Sequence, residues 1–171
     1  MARSYAPLLT AIWEDPDWKA LSSTDHDVFV ALLTSSDLSR CGVALDLPSR
    51  YVEFAADLTE RKVTKALANL AARRFIVRDT STSEVLVRNY VRHDGVIRRP
   101  MIARAMAKAT DKVRSPKLRR EIAAQFARIR ADEPDAPGWR HVEELAPDLV
   151  EQSIELYGEL FAELYGGQSV E

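Results

Sequence analysis

The chain has 171 residues, 46% of them hydrophobic, and 24 Lys/Arg against 26 Asp/Glu give a formal charge of −2. That length supports one sizeable core and a second small helical module. The longest apolar run, Val28 to Leu33, is far too short to span a bilayer as a helix, and a single cysteine, Cys41, excludes an internal disulfide and suits a reducing cytoplasm.

From the N-terminus, Tyr5 to Trp13 is apolar and runs into Glu14-Asp15-Pro16-Asp17 with no small-residue cleavage site, so no export signal is expected. Ser22-Ser23-Thr24-Asp25 reads as a capping box opening a helix to Ser36, with Val28, Phe29, Leu32 and Leu33 on one face. Cys41 to Leu45 follows a short turn as a strand. Pro48 suits the first turn of a short helix whose buried side is Val52, Ala55 and Ala56. Thr59 caps the next helix, predicted over Thr59 to Arg74, where Val63, Ala66, Leu67, Leu70 and Ala71 repeat at i, i+3, i+4, i+7 and i+8. At about 100° per residue the opposite face carries Arg61, Lys65, Ala68 and Ala72, flanked by Lys62 and Asn69. Phe75 to Asp79 and Glu84 to Tyr90 are β-rich, and Thr80-Ser81-Thr82-Ser83 between them makes a hairpin tip.

Beyond the hairpin, Asp94-Gly95 marks a turn. Met101, Ile102, Ala105, Met106, Ala109 and Val113 form the predicted apolar stripe of one helix, with Arg104 and Lys108 outside it. Ser115-Pro116 begins another, with Leu118, Ile122, Phe126 and Ile129 inward and Lys117, Arg119, Arg120 and Arg128 on its other side. Asp132 to Gly138 reads as a linker before a last helix from about His141 to Tyr165. That helix has Val142, Leu145, Leu149, Tyr157, Leu160, Phe161 and Leu164 on one side and acids on the other.

The charge is sorted into blocks along this order. Residues 1–60 hold 4 Lys/Arg against 10 Asp/Glu, residues 61–130 hold 19 against 5, and residues 131–171 hold 1 against 11. Like charges repel in a compact chain, so a central excess of this size is expected to meet a polyanion, with nucleic acid the first candidate. Helix, short strand, helix, turn, helix, hairpin is the order of a winged helix-turn-helix, with the third helix as reader and the hairpin as wing. The expected fold is mainly α (α+β). It comprises a winged helix-turn-helix domain over residues 1–100, a basic helical extension over 101–130, a linker over 131–140 and an acidic amphipathic helix over 141–171.

Thr59, Arg61, Lys62, Lys65 and Asn69 on the reader are then the residues expected at double-stranded DNA, in base-edge or phosphate contacts. Arg78 and Arg88 on the hairpin strands are candidates for the phosphate backbone or minor groove, or else ordinary strand exteriors. Arg92, Arg98 and Arg99 follow as a phosphate-binding segment that sets affinity and salt dependence. No catalytic residue, metal or cofactor is expected. His26, His93 and His141 stand apart without metal-ligand spacing, the glycines form no phosphate-cradling loop, and Cys41 reads as a buried structural thiol. The acidic terminal helix has three readings: packing on its own domain, offering Leu149, Tyr157, Phe161 and Leu164 to a protein partner or a second copy, or lying against the basic block. A protein-interaction factor using the winged fold as scaffold is the alternative to DNA binding.

Ala2-Arg3-Ser4-Tyr5, Ile12-Trp13-Glu14-Asp15-Pro16-Asp17, Ala20-Leu21-Ser22, Leu32-Leu33, Asp37-Leu38-Ser39 and Cys41-Gly42-Val43 resemble the opening of small winged-helix proteins of actinobacterial phages and prophages. The pattern continues through Leu58-Thr59, Leu70, Arg74-Phe75-Ile76-Val77 and Leu86-Val87-Arg88 to Asp94-Gly95-Val96. It is similar, more loosely, to the N-terminal domains of phage replisome organisers and DnaD-like primosomal proteins. The resemblance covers residues 2 to 100 and implies DNA binding at a replication origin or an operator, in the cytoplasm of a bacterial host. It sets the reader at Thr59 to Arg74 and the wing at Phe75 to Tyr90. The segment after residue 100 does not match a replisome-organiser C-terminal domain, which argues against helicase loading.

Overall fold

A computed structural model describes residues 6, 8–93 and 95–165, with side chains through Gly158 except that of His93. The chain is mainly helical with a small three-stranded antiparallel sheet. It forms two compact units, Met1–Tyr90 and Val91–Glu171.

In the first unit, Asp15 caps the short helix α1 (Pro16–Lys19) by accepting from the backbone N–H of Asp17 at 2.8 Å and of Trp18 at 3.3 Å. The acidic cluster before Trp18 is thus a helix-end device. Trp18 is buried against His26, whose ring stacks at 4.2 Å, and against Phe29 and Phe75 edge-on. Helix α2 (Ser23–Thr34) starts with the expected reciprocal box. The Asp25 carboxylate accepts from the Ser22 N–H at 2.9 Å, and Ser22 Oγ accepts from the Asp25 N–H at 3.2 Å.

Strand β1 (Val43–Leu45) follows Gly42, which is needed twice over. Its φ of 84° favours glycine, and a Cβ there would sit 2.7 Å from Tyr90 Cβ. The segment Pro48–Phe54 is a 3-10 helix, and its buried anchor is Tyr51 rather than Val52, Ala55 and Ala56. The Tyr51 hydroxyl donates to the Leu45 carbonyl at 2.7 Å, and burial pushes its pKa above the ordinary phenol value. A three-residue turn places one large ring inward where a longer α-helix would need a stripe.

Helix α3 (Glu60–Ala72) has Thr59 at its N-cap, and Val63, Ala66, Leu67 and Leu70 are buried as the 3.6-residue period requires. It packs on α2 and on the 3-10 helix. Arg74, at φ 64°, turns the chain into β2 (Ile76–Asp79), which pairs with β3 (Glu84–Val87) in the register Ile76↔Val87 to Asp79↔Glu84. The four polar residues between them form the tip, where Asp79 Oδ1 accepts from the N–H and hydroxyl of Ser81. Strand β3 also pairs with β1, giving the order β1-β3-β2 with all four β3 residues buried.

The second strand of the hairpin ends at Val87, because Asn89 turns left-handed at φ 58° and helix α4 (Tyr90–His93) begins. The boundary between the units therefore falls at Tyr90 rather than near residue 100. Val96 and Ile97 are buried, and Ile97 accepts the Gly138 N–H at 2.9 Å within the second unit. Asp94 of the expected turn lies outside the described residues.

In helix α5 (Pro100–Thr110) the buried face is Ala103, Met106, Ala107 and Thr110, while Met101 is 73% exposed. The helix is rotated from the predicted stripe because Ala103 is seated closely against Gly138. Helix α6 (Pro116–Asp132) opens on Ser115, whose hydroxyl accepts the Leu118 N–H at 3.1 Å, and buries Leu118, Ile122, Phe126 and Ile129 as expected.

The expected linker is a packed turn, since Trp139 Nε1 donates to the Glu133 carbonyl at 2.8 Å and Gly138 is seated against Ile97. The predicted terminal helix is two helices, α7 (Trp139–Leu145) and α8 (Pro147–Tyr165). Pro147 supplies no N–H and pushes Ala146 out of helical geometry, to φ −142°. Helix α8 packs on α6 and buries Leu149, Val150 and Ser153, so of the three readings, packing within its own unit is realised for this stretch. The side chains of Leu160, Phe161 and Leu164 lie outside the described residues.

Candidate nucleic-acid interface

The unit boundary cuts the basic block. Met1–Tyr90 holds 11 Lys/Arg against 12 Asp/Glu and Val91–Glu171 holds 13 against 14, so each unit is close to neutral. Each unit includes one of the acidic flanks, and several of the flank carboxylates pair with cations of the block.

Thr59 is exposed and its hydroxyl accepts the Lys62 N–H at 3.3 Å, which commits it to the helix end. Lys62 is exposed, but its Nζ donates to the Asp57 carbonyl at 2.9 Å and carboxylate at 3.0 Å, and the ammonium holds the Asp57 carboxyl below the usual range. Asn69 turns inward. Its side-chain amide donates to Asp25 Oδ1 at 3.3 Å, joining α3 to the capping box of α2.

Arg78 is the largest departure from expectation. Its guanidinium makes a bidentate pair with Asp46, Nε to Oδ2 at 2.8 Å and Nη2 to Oδ1 at 2.9 Å, with the Asp46 side chain 1% exposed. Asp46 also donates its N–H to the Ser83 carbonyl at 2.9 Å. The pair therefore clamps the tip end of the hairpin to the end of β1. Arg88 is half-buried just after β3 and donates to the Arg74 carbonyl at 3.3 Å.

The other three candidates belong to the second unit. Arg92 pairs with Asp132 at 3.1 Å. Arg98 forms a two-pronged pair with Glu133 at 2.7 and 3.0 Å, lowering the Glu133 carboxyl from its ordinary value. Arg99 is exposed at the N-cap of α5.

Arg61 and Lys65 remain on the outer face of α3, both exposed and with no ion pair or hydrogen bond among the described residues. Thr64, Ala68 and Ala72 are exposed beside them. Thr64, passed over in the sequence, falls three residues after Arg61 and completes the face; its hydroxyl donates to the Glu60 carbonyl at 2.7 Å. The cationic half of this face is N-terminal, and the Ala half offers no side-chain bulk to hold a surface away.

Among the described residues, no group of three His, Cys, Asp or Glu is placed to hold a metal, and no helix is long and apolar enough to cross a membrane. Cys41 is fully buried, burial pushes its thiol pKa up, and its sulfur lies 3.2 Å from Ser39 Oγ. Comparison with protein-family models, curated proteins and solved structures finds no match to the chain.

Proposed function

We propose that Met1–Tyr90 is a winged helix-turn-helix module that binds double-stranded DNA without catalysing a reaction, acting in phage replication initiation or transcription control. The observation that carries this reading is the outer face of α3, where Arg61, Thr64 and Lys65 stand unpaired by carboxylates beside Ala68 and Ala72. Two packed helices, α2 and α3, followed by a hairpin on a β1-β3-β2 sheet, support it, because that arrangement presents the third helix to a major groove and the hairpin to the flanking backbone. Arg61 and Lys65 contact base edges or phosphates, and the alanines let the helix approach closely. Thr59, Lys62, Asn69 and Arg78 shape and hold the reader and wing. The resemblance of residues 2 to 100 to phage winged-helix proteins supports the phage setting.

The test is Arg61→Ala with Lys65→Ala, measured by fluorescence anisotropy on a mixed-sequence duplex over a salt series. Both side chains lie off the buried stripe, so the fold is expected to persist. With about 0.9 of a counterion released per phosphate contact, the slope of log K against log salt should become shallower by about two. Equal affinity and equal slope for parent and variant would remove the assignment.

A further inference from the structure

Helices α5 and α8 of the second unit each expose a four-residue stripe at i, i+3, i+4 and i+7. On α5 it is Met101, Arg104, Ala105 and Lys108; on α8 it is Glu151, Ile154, Glu155 and Gly158. Arg104, Lys108, Glu151 and Glu155 have no ion pair among the described residues, although Arg92, Arg98 and Arg130 of the same unit all do. Met101 is 73% and Ile154 57% exposed. A side chain added at Gly158 would meet nothing within 4 Å.

The stripes are complementary in an antiparallel register. Arg104 opposes Glu155, Lys108 opposes Glu151, Ala105 opposes Ile154, and Met101 opposes Gly158. Each cation meets an acid, and each large apolar side chain meets a small residue that makes room for it, as ridges fitting grooves require. A slip of three residues sets Met101 against Glu155.

We infer that two copies of the chain associate through these stripes, α5 of each lying antiparallel on α8 of the other. A two-fold pair makes the contact twice, since the residues that touch across an isologous interface are reciprocal. The occupant is a second copy because each stripe supplies the charge and shape the other lacks. The association is weak and salt-dependent, because its charges are exposed at the rim of small helix faces.

The experiment is sedimentation velocity on the full chain without DNA, so that its outcome is independent of the proposed DNA binding. The parent should dimerise at low salt and dissociate as salt rises. Arg104→Glu with Lys108→Glu, and separately Glu151→Lys with Glu155→Lys, should each weaken association about ten-fold or more. An equimolar mixture of the two variants should recover the dimer, because both contacts again join opposite charges; circular dichroism should match the parent throughout. A parent that stays monomeric at every concentration, reversals that leave a parental dimer, or a mixture that stays monomeric would overturn the inference.

Discussion

Arg78→Ala is expected to destabilise the Met1–Tyr90 unit by about 3–5 kcal/mol, because it leaves the Asp46 carboxylate, 1% exposed, without its bidentate partner. The cost comes from an uncompensated buried charge more than from the lost attraction. Replacing both residues with apolar groups of similar size, Arg78→Met with Asp46→Leu, should recover much of the loss, since desolvation of both ions disappears together. Urea unfolding followed by circular dichroism measures it. A single-variant loss below about 1 kcal/mol would mean the pair is solvated like an ordinary surface bridge. Because the pair fixes the hairpin to the end of β1, hydrogen exchange at Thr80–Ser83 should rise in the single variant before the helices are affected.

Gly138→Ala should be the most damaging methyl addition in the second unit. Its backbone is right-handed, at φ −75°, so the conformation itself suits alanine. Space is what fails. A Cβ would lie 2.3 Å from the Ile97 carbonyl oxygen and 2.7 Å from Ala103 Cβ, and that same oxygen accepts the Gly138 N–H at 2.9 Å. Neither atom is the free end of a flexible chain, so the turn must move away from α5 and stretch that bond. Overpacking of this kind costs about 3 kcal/mol, readable as a lower thermal midpoint. A midpoint equal to the parent's would show that the turn between α6 and α7 yields freely.

The local signals in the sequence carried through where the partner lay within a turn or two. Ser22 and Asp25, Thr59 on α3, Ser115-Pro116 and the polar hairpin tip all stand where their spacing puts them, because caps and tight turns are decided by neighbours in the chain. Charge was different. A block of cations reads as a surface only if nothing distant returns to neutralise it, yet Asp46 reaches Arg78 across 32 residues, Asp132 reaches Arg92 across 40 and Glu133 reaches Arg98 across 35. No periodicity encodes those meetings. Asn69 looked like a flank of the reader face and instead finds Asp25, 44 residues away.

Two other differences were legible. Pro147 lies inside the stretch predicted as one terminal helix, and proline in a helix interior is a known stop. Thr64 shares the outer arc of α3 with Arg61 and Lys65 by the same arithmetic that picked those two. The rotation of α5 was not legible, since its seat is set by Gly138 on another element and not by the size of its own side chains.

The central claim is that the outer face of α3 meets duplex DNA, and the most direct measurement follows backbone amide resonances of isotope-labelled full-length protein as a short duplex is added at low salt. The expected result is that the largest shifts fall at Arg61, Thr64, Lys65 and Ala68, with smaller ones at Ser81–Ser83 of the hairpin tip. An unchanged spectrum, or shifts confined to Val91–Glu171, would contradict it.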